Sequence, residues 1–283
     1  MNKWLNTALV AGIVIALVVG VVAGYYMKSG AVSGADIQSV CPGYGLLSKI
    51  KSRGVLVVGT SADWPPYEYV TPSGEFAGID IEIAKRVAKS LNVSLQVKDM
   101  KFVALFEAVK RGDVDIAIAD IAMKPERLQV VDFSIPYRCE DGKAIIVRKG
   151  FEYHGYESLY GKRIGVQLGT TEEDLARKFF GNKSEIVAFD RVYPEMTLAL
   201  KTGKIDAMVV APDVAKIIVS KEKDLQIVDY LPFFSCSVIV MPHCTYDLKT
   251  EVSKVIWNLL QSGELDKIKE QEVSKWMEIA GAS

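Results

Sequence analysis

Two apolar segments of the chain lead into residues that could bind a small charged molecule. Residues 55–60 are followed by Trp64 and a pair of prolines, and residues 112–119 are followed by Asp120 and then by Arg127. A guanidinium can form a bidentate ion pair with a carboxylate, and an indole ring offers a flat face for stacking or for a cation. We expect these residues at strand ends of one α/β lobe, where such folds bind small ligands.

The elements that must position these residues alternate between strand and helix. Residues 55–60 and 112–120 predict buried strands, and a helix is expected to begin near Asp80. The alternation starts again in the second half, where a Gly-Thr-Thr turn at 169–171 precedes a helix and residues 204–212 predict another buried strand. This partial repeat predicts an α/β protein with two lobes of related topology.

The composition suits one or two globular units with an ample core and excludes several classes of protein. Of 283 residues, 49% are hydrophobic, and 34 basic against 35 acidic residues give a net charge of -1, which provides no basic field for nucleic acid. The sequence has two histidines, no cysteine pair with zinc spacing, no phosphate loop and no nucleophile motif. We therefore expect that the protein binds no metal and no cofactor and that it is not an enzyme.

The amino terminus contains a long apolar stretch at residues 4–26. Its length is roughly what a helix needs to cross a bilayer, and Lys3 before it favours translocation of the rest of the chain. We predict an uncleaved membrane anchor, a transmembrane helix within residues 1–29, followed by a flexible tether at 30–45. A signal peptide cleaved after Ala23 is the alternative.

The order and spacing of the motifs resemble the extracellular solute-binding proteins of ABC importers, specifically the polar amino-acid-binding family 3. The resemblance extends from Leu46 to Trp276 and rests on the segments GVLVVGTSADWPPYEYVTPSGEFAGIDIEIAKRVAKSL and GDVDIAIADIAMKPERLQVVDFSIPY. It implies an α/β, two-lobed periplasmic binding protein type II fold whose hinge is two crossing strands. The implied boundaries are 46–144 for the first part of lobe 1, 145–237 for lobe 2 and 238–283 for the return to lobe 1.

The resemblance also implies a set of ligand-binding residues. Arg127 stands at the family position that binds the ligand's α-carboxylate. The turn that precedes a helix of the second lobe adds hydroxyls and free amides to the same site. Two aromatic rings sandwich the ligand side chain. The turn also predicts a helix N-cap, and an isolated aromatic such as Phe102 is typical of a core. The implied set is Trp64, Phe102, Asp120, Ala122, Arg127, Gly169, Thr170, Thr171 and Asp213.

Some positions depart from the family pattern. Ala211 stands where an Asp usually binds the ligand's α-ammonium, and Ala122 stands where a Ser or Thr is common. Asp120 stands where a Gly or Ser is usual, and a buried carboxylate is costly unless paired. We hypothesise that Asp120 replaces the missing ammonium partner or neutralises a cationic ligand group. The structural alternative is a salt bridge to Arg127 or Lys124.

The four cysteines, Cys41, Cys139, Cys236 and Cys244, predict disulfides in an outward-facing domain. If residues 234–244 are extended, Cys236 and Cys244 lie about 25 Å apart and cannot pair, which leaves Cys41 and Cys139 to pair with one each. The resemblance to the family's crossing segments favours Cys139 with Cys244. Four reduced, buried thiols are the alternative.

The function that the resemblance implies is capture of an amino acid, or a related small zwitterion or cation, by closure of the cleft. The closed form would deliver this ligand to the membrane permease of an ABC importer, at the extracellular face of the membrane or in the periplasm, as an anchored or secreted protein. The alternative is a cyclohexadienyl (prephenate or arogenate) dehydratase-like enzyme on the same fold. In that enzyme Glu172, Glu173 or Asp120 would donate the proton.

Overall fold

The computed structural model of the protein describes Cys41, residues 43–279 and Gly281. The predicted membrane segment at residues 4–26 lies outside these residues. Within the described part of the chain, no helix is both long and apolar enough to span a bilayer. From Gly45 onward the described chain forms one compact unit.

Helices and strands alternate along this unit, so the predicted α/β class is confirmed. The helices of the described chain are α1 (Leu46–Arg53), α2 (Ile79–Ser90), α3 (Leu105–Arg111), α4 (Thr171–Phe180), α5 (Thr197–Lys201), α6 (Pro212–Lys221), α7 (Tyr246–Gln261) and α8 (Glu264–Ile279). Its strands are β1 (Val55–Thr60), β2 (Asp63–Trp64), β3 (Glu68–Val70), β4 (Phe76–Ala77), β5 (Ser94–Asp99), β6 (Ile116–Ala117), β7 (Asp132–Phe133), β8 (Arg138–Arg148), β9 (Arg163–Gln167), β10 (Glu185–Phe189), β11 (Ala207–Val210), β12 (Leu225–Ser237) and β13 (Val240–Met241).

Two five-stranded sheets form the centres of two lobes. The first sheet has the order β5-β1-β6-β13-β7 and the second the order β10-β9-β11-β8-β12. We call the first sheet with α1, α2, α3, α7 and α8 lobe 1, and the second sheet with α4, α5 and α6 lobe 2. Strands β1, β5 and β6 run parallel, as do β9, β10 and β11. Strands β2, β3 and β4 form a small separate sheet.

The parallel strands of lobe 1 bring the predicted site residues to one edge. Val58 of β1 pairs with Ile116 of β6, and both side chains are fully buried, as expected of a parallel sheet covered on both faces. Trp64, Phe102 and Asp120 each follow one of the three parallel strands in the chain. Since the carboxyl ends of these strands share one edge of the sheet, the three residues lie near one another.

Helix α3 packs closely on β1 because Gly59 has no side chain. A Cβ atom at Gly59 would lie 3.2 Å from Leu105 Cδ2 and 3.2 Å from Val114 Cγ2. The 3₁₀ turn Phe102–Ala104 leads directly into α3. The close helix therefore also sets the position of Phe102 at the edge of the sheet.

The two long strands β8 and β12 connect the lobes and pair antiparallel. Cys139 near the start of β8 lies opposite Cys236 near the end of β12, and the two form a disulfide. The expected pairing of Cys139 with Cys244 is wrong. The start of one crossing strand does meet the end of the other, but β12 ends at Ser237, before Cys244 is reached. None of the four cysteines is free, so the predicted disulfide state is confirmed.

The predicted lobe boundaries fall on these crossing strands. The boundary after residue 144 lies inside β8, and the boundary after residue 237 coincides with the last residue of β12. That these boundaries separate independent structural units stays a prediction. The strand pairing makes each crossing strand part of the lobe 2 sheet along most of its length.

Replacing both Cys139 and Cys236 by Ser should lower the free energy of unfolding by about 2–4 kcal/mol, because the disulfide restricts the unfolded chain. The bond joins residues 97 positions apart. Denaturant unfolding of the double variant and the parent, followed by circular dichroism, measures the difference. An unchanged free energy would contradict the stabilising role, and a non-reduced peptide map that joins Cys139 to Cys244 would contradict the pairing.

Candidate functional site

A small closed cavity lies between the two lobes. Its volume is about 20 Å³, roughly the space that one water molecule needs. The cavity brings together seven of the nine predicted ligand-binding residues with four that were not predicted as ligand contacts. Its lining consists of Trp64, Phe102, Ala119, Asp120, Ala122, Arg127, Lys143, Gln167, Thr170, Thr171 and Glu172.

Arg127 is a buried cation that forms no ion pair with any carboxylate of the described chain. The residue belongs to the 3₁₀ turn Pro125–Gln129 and is only 7% exposed. Nη1 donates to the carbonyl of Ala122 at 2.5 Å, and Nη2 donates across the cleft to the carbonyl of Gly169 at 3.0 Å. No carboxylate among the described residues forms an ion pair with this guanidinium. Burial lowers the pKa of Arg127 to about 10, and the charges of Glu172, Asp174 and Glu126 offset only part of this effect.

Two aromatic rings lie against this guanidinium. Its central carbon is 5.4 Å from the ring centre of Phe102 and 4.8 Å from that of Phe106. Such contacts stabilise a cation but do not neutralise its charge. Phe102 is therefore both a lining residue of the cavity and part of the support of Arg127.

The Gly-Thr-Thr turn places the amino terminus of α4 at the cavity. Thr170 is the N-cap, and its Oγ1 accepts a hydrogen bond from the amide of Glu173 at 3.3 Å, while the amide of Gly169 donates to Glu173 Oε2 at 2.7 Å. The N-cap interpretation of the turn is thus confirmed. Thr171, the first residue of α4, also lines the cavity. A helix amino terminus favours an anion because its first amides lack intrahelical acceptors.

Asp120 forms a salt bridge, but with a residue that the sequence did not indicate. Its carboxylate accepts from Arg138 Nη1 at 2.7 and 2.8 Å, from Ser237 Oγ at 2.5 Å and from Trp64 Nε1 at 3.1 Å. The structural alternative for Asp120 is therefore present in this form of the protein, with Arg138 in place of Arg127 or Lys124. Lys124 instead pairs with Asp174 in the other lobe.

Buried charges continue from Asp120 along strand β8. Arg138 also binds Glu140 at 2.6 Å, Glu140 binds Lys143, and Lys143 binds Glu172 at 2.8 Å. The chain of alternating charges begins and ends at a carboxylate that lines the cavity. Sequence reasoning missed its interior members. The available signal was the strongly charged start of β8, RCEDGK, on a strand expected to cross between lobes.

Arg138, Lys143 and Glu172 remain ionised because each has an opposite charge nearby, whereas burial and the charge of Asp120 raise the pKa of Glu140 above its ordinary value. Burial acts to lower the pKa of Arg138 and of Lys143, but the surrounding carboxylates raise both above their ordinary values. Burial acts to raise the pKa of Glu172, but Lys143 lowers it below its ordinary value. The cavity wall therefore carries a cation at Lys143 and an anion at Glu172 at neutral pH.

Of the two predicted residues that do not line this cavity, Gly169 accepts a hydrogen bond from Arg127, and the other is Asp213. It belongs to the first turn of α6, its side chain is 49% exposed, and it accepts from Tyr67 Oη at 3.0 Å and from Lys216 Nζ at 3.2 Å. It lines a different cavity of about 140 Å³. Ala211 is fully buried and offers no carboxylate. The usual second-lobe ammonium partner is therefore not replaced from α6 in this closed form.

Direct bonds between the lobes hold the cleft closed. Asp63 of lobe 1 accepts from the amide of Val192 at 2.5 Å and from Gln167 Nε2 at 3.0 Å, both in lobe 2. Arg191 of lobe 2 binds Asp99 of lobe 1 at 2.8 Å. Lobe closure in this form therefore rests on side chains of the protein itself.

Two α/β lobes that enclose a charged cleft and are joined by two crossing strands define the type II periplasmic binding proteins. Residues 56–276 match the family described as bacterial extracellular solute-binding proteins, family 3. The chain belongs to this family, and the relatives described below are named as binding proteins rather than as enzymes.

Three relatives illustrate the family. The L-cystine-binding protein TcyJ of Escherichia coli is 29% identical over 252 residues, which are 87% of this chain and 92% of TcyJ. The structure of the ABC transporter substrate-binding protein AbpA from Streptococcus pneumoniae, bound to L-arginine, is 33% identical, with a TM-score of 0.76 over 81% of this chain and 98% of AbpA. The ancestral amino acid-binding protein AncCDT-1, a precursor of cyclohexadienyl dehydratase, is 30% identical, with a TM-score of 0.75 over 81% and 99% of the two chains.

Gly169→Ala should hinder closure of the cleft. A Cβ atom at Gly169 would lie 2.6 Å from Val103 Cγ1 of the opposite lobe, and the backbone φ of +80° also disfavours a side chain. Affinity for the amino acid that the parent chain binds should fall by at least about tenfold, or 1.4 kcal/mol, as measured by calorimetry.

Gly161→Ala is the matched control because Gly161 has a φ of +72° with nothing near its Cβ position. It should reduce stability without reducing affinity. Adding Val103→Ala to the Gly169→Ala variant should recover part of the affinity. Equal affinities of the two single glycine variants would show that the contact across the cleft does not matter.

Proposed function

We propose that this protein captures an amino acid outside the cell and delivers it to the permease of an ABC importer. The observation that supports this most directly is Arg127, a buried guanidinium with no carboxylate partner among the described residues. It lies at the junction of the lobes, where a ligand carboxylate would supply the missing charge. The relatives named for L-cystine and bound to L-arginine support an amino acid as the class of ligand.

The ligand carboxylate would bind between groups from both lobes. On one side lies the guanidinium of Arg127, and on the other lies the α4 amino terminus with Gly169, Thr170 and Thr171. The carboxylate would take the place of the direct bond from Arg127 to the carbonyl of Gly169. Since both halves of this site come together only on closure, the ligand stabilises the closed form.

The rest of the ligand would lie between the aromatic and the acidic walls. Trp64 and Phe102 would flank its side chain, with Ala122 leaving room where a hydroxyl is absent. Asp120 and Glu172, the two carboxylates that line the cavity, would attract its ammonium group while they remain bound to Arg138 and Lys143. The ligand role predicted for Asp213 stays a prediction, because its carboxylate lies outside this cavity.

Loading requires that the lobes separate. A volume of about 20 Å³ is far too small for an amino acid, so the ligand must enter an open form and displace side-chain contacts on closure. The ligand shifts the equilibrium between the two forms only by its preference for the closed one. The permease would then distinguish closed from open protein.

The apolar stretch at residues 4–26, outside the described residues, would act as an uncleaved membrane anchor. Its length suits a bilayer, and the short tether that follows would keep the binding unit close to the permease. We propose that the protein works at the extracellular face of the cell membrane or in the periplasm. Tethering raises the local concentration of the closed protein at the importer.

A thermal-shift panel tests the proposed function. The chain from Cys41 onward should be stabilised by one or more amino acids, because a ligand that binds only the folded protein raises its melting temperature. Arg127→Met should reduce affinity roughly 100-fold or more, since hydrogen bonds to charged groups contribute about 1.5–3 kcal/mol each. Arg127→Lys should also bind more weakly because lysine lacks the planar fork. Arg111→Lys, an exposed arginine in lobe 1, is the control and should bind normally.

The same panel separates the amino-acid proposal from its alternatives. It includes polyamines, betaines, dicarboxylates and prephenate beside the amino acids. Stabilisation by prephenate alone, followed by its turnover, would overturn the proposal in favour of a dehydratase. Normal amino-acid affinity in the Arg127→Met variant would overturn the assignment of the carboxylate site.

The anchor proposal predicts that the full chain stays with the membrane. After cell lysis it should sediment with the membrane fraction and resist extraction by alkaline carbonate, as a spanning helix does. The chain from Cys41 onward, expressed as the control, should remain in the soluble fraction. A mature protein whose first residue follows Ala23, found by mass spectrometry of the intact chain, would show a cleaved signal peptide instead.

A further inference from the structure

Two buried carboxyl groups lie behind the cleft without a basic partner. Glu68 of β3 is 1% exposed, and Asp80 in the first turn of α2 is 0% exposed. Within the described chain neither forms an ion pair, and Glu68 Oε2 and Asp80 Oδ1 accept no hydrogen bond from a protein donor. Two adjacent carboxylate anions would be very costly in such a place. At least one of the two groups must therefore be neutral.

The two carboxyl groups lie close enough that the charge of Asp80 raises the pKa of Glu68. Carboxylates only accept hydrogen bonds, so a hydrogen bond between the two groups requires a proton on one of them. Burial, reinforced by the charges of Asp80 and Asp120, raises the pKa of Glu68 well above its ordinary value. Burial and the charge of Asp120 raise the pKa of Asp80 to about 7. The proton therefore belongs mainly to Glu68, and Asp80 Oδ1, which has no other donor among the described residues, is the acceptor beside it.

The second oxygen of Asp80 connects this pair to the cleft. Asp80 Oδ2 accepts from the backbone amide of Asp120 at 2.7 Å and from Tyr137 Oη at 3.0 Å. Asp120 has a φ of +44°, a left-handed conformation that a residue other than glycine adopts at a cost. The bond from its amide to Asp80 holds the backbone in this conformation. Its carboxylate is then directed at Arg138 and Trp64.

The surroundings of the pair contain more acids than bases. Asp63 and Asp120 lie close enough to raise the pKa of Glu68 further, and Arg138, the cation bound to Asp120, also pairs with Glu140 and Asp213. A proton is therefore the only charge compensation that the described residues offer the pair. The titratable groups on the elements packed around it are Asp63, Tyr67, Asp120, Tyr137, Arg138 and Glu272.

We propose that Glu68 is a neutral acid that shares its proton with Asp80, and that this pair is a positioning device for Asp120 in the wall of the cleft. Glu68 and Asp80 do not line the cavity and act only through Asp120. Loss of the proton would place a second negative charge beside Asp80 and Asp120 and loosen the wall. The consequence for ligand affinity rests on the proposed function, but the proton and the position of Asp120 do not.

The direction of the pH dependence follows from the protons bound in each state. The folded pair holds protons that the unfolded chain releases above ordinary carboxyl pKa values, about 4. Its contribution to stability is therefore complete in acid and is lost as the pH rises through the folded values, for Asp80 about 7. Stability should decline from about pH 4 to about pH 7 through Asp80, and further above that range through Glu68.

The test compares Glu68→Gln and Glu68→Met in the full chain without ligand. Glutamine keeps a donor for Asp80 but has no proton to lose, whereas methionine has similar length and no donor. Glu75→Gln, an exposed carboxylate on the loop between β3 and β4, is the matched control. Infrared spectroscopy detects the carbonyl stretch of a protonated carboxylic acid. The ¹⁵N resonance of the Trp64 indole, which donates to Asp120, reports the position of that carboxylate.

In the parent and in Glu75→Gln, an acid carbonyl band should persist at about pH 8, where Asp80, with a pKa of about 7, is mostly ionised. Glu68→Gln should lose the band at this pH and keep the Trp64 resonance in place, and Glu68→Met should move the resonance. Identical infrared spectra of the parent and Glu68→Gln at about pH 8, or an undisturbed Trp64 resonance in Glu68→Met, would overturn the proposal. If Glu68→Met does not fold, the band of Glu68→Gln decides. Because no ligand is present, failure here differs from failure of amino-acid binding.

Discussion

The antiparallel pairing of β8 with β12 is the interaction on which the cleft depends. These strands pass between the lobes, and their register places Cys139 opposite Cys236 and Arg138 opposite Ser237. Arg138 and Ser237 then meet the same carboxylate, that of Asp120 in lobe 1. Further along β8, Lys143 reaches Glu172 at the start of α4 in lobe 2. One pair of strands thus joins the lobes and supplies the charges between them.

These charges explain why the site suits binding. A buried ion pair contributes little net stability because desolvation offsets the attraction, but its groups are held in fixed directions. Every cation of the chain along β8 has a carboxylate partner, whereas Arg127 has carbonyl and aromatic contacts instead. A ligand carboxylate would give Arg127 the ion pair that it lacks among the described residues. Closure around it would occur in a medium of low dielectric constant, where this pairing is strongest.

The same arrangement argues against acid catalysis in the cleft. The pKa of Glu172 lies below its ordinary value because of Lys143, so it holds no proton at neutral pH. Glu173 is occupied by the amide of Gly169 and by Arg177, and Asp120 by Arg138. The proton that we propose to be shared by Glu68 and Asp80 lies behind the wall of the cavity. This agrees with a relative named as the binding precursor of a dehydratase.

The sequence by itself determined the α/β alternation, the family and the position of Arg127 and the Gly-Thr-Thr turn, because strands, turns and caps depend on nearby residue types. Only the tertiary structure decided that Asp120 pairs with Arg138, that Cys139 bonds to Cys236 and that Asp213 lies away from the cavity. Those outcomes depend on the register of strands far apart in the chain, which burial of whole faces selects and local patterns do not encode. The proton that we propose for Glu68 and Asp80 also depends on the tertiary structure. A carboxyl group is neutral at neutral pH only where folding removes water and leaves no cation within reach.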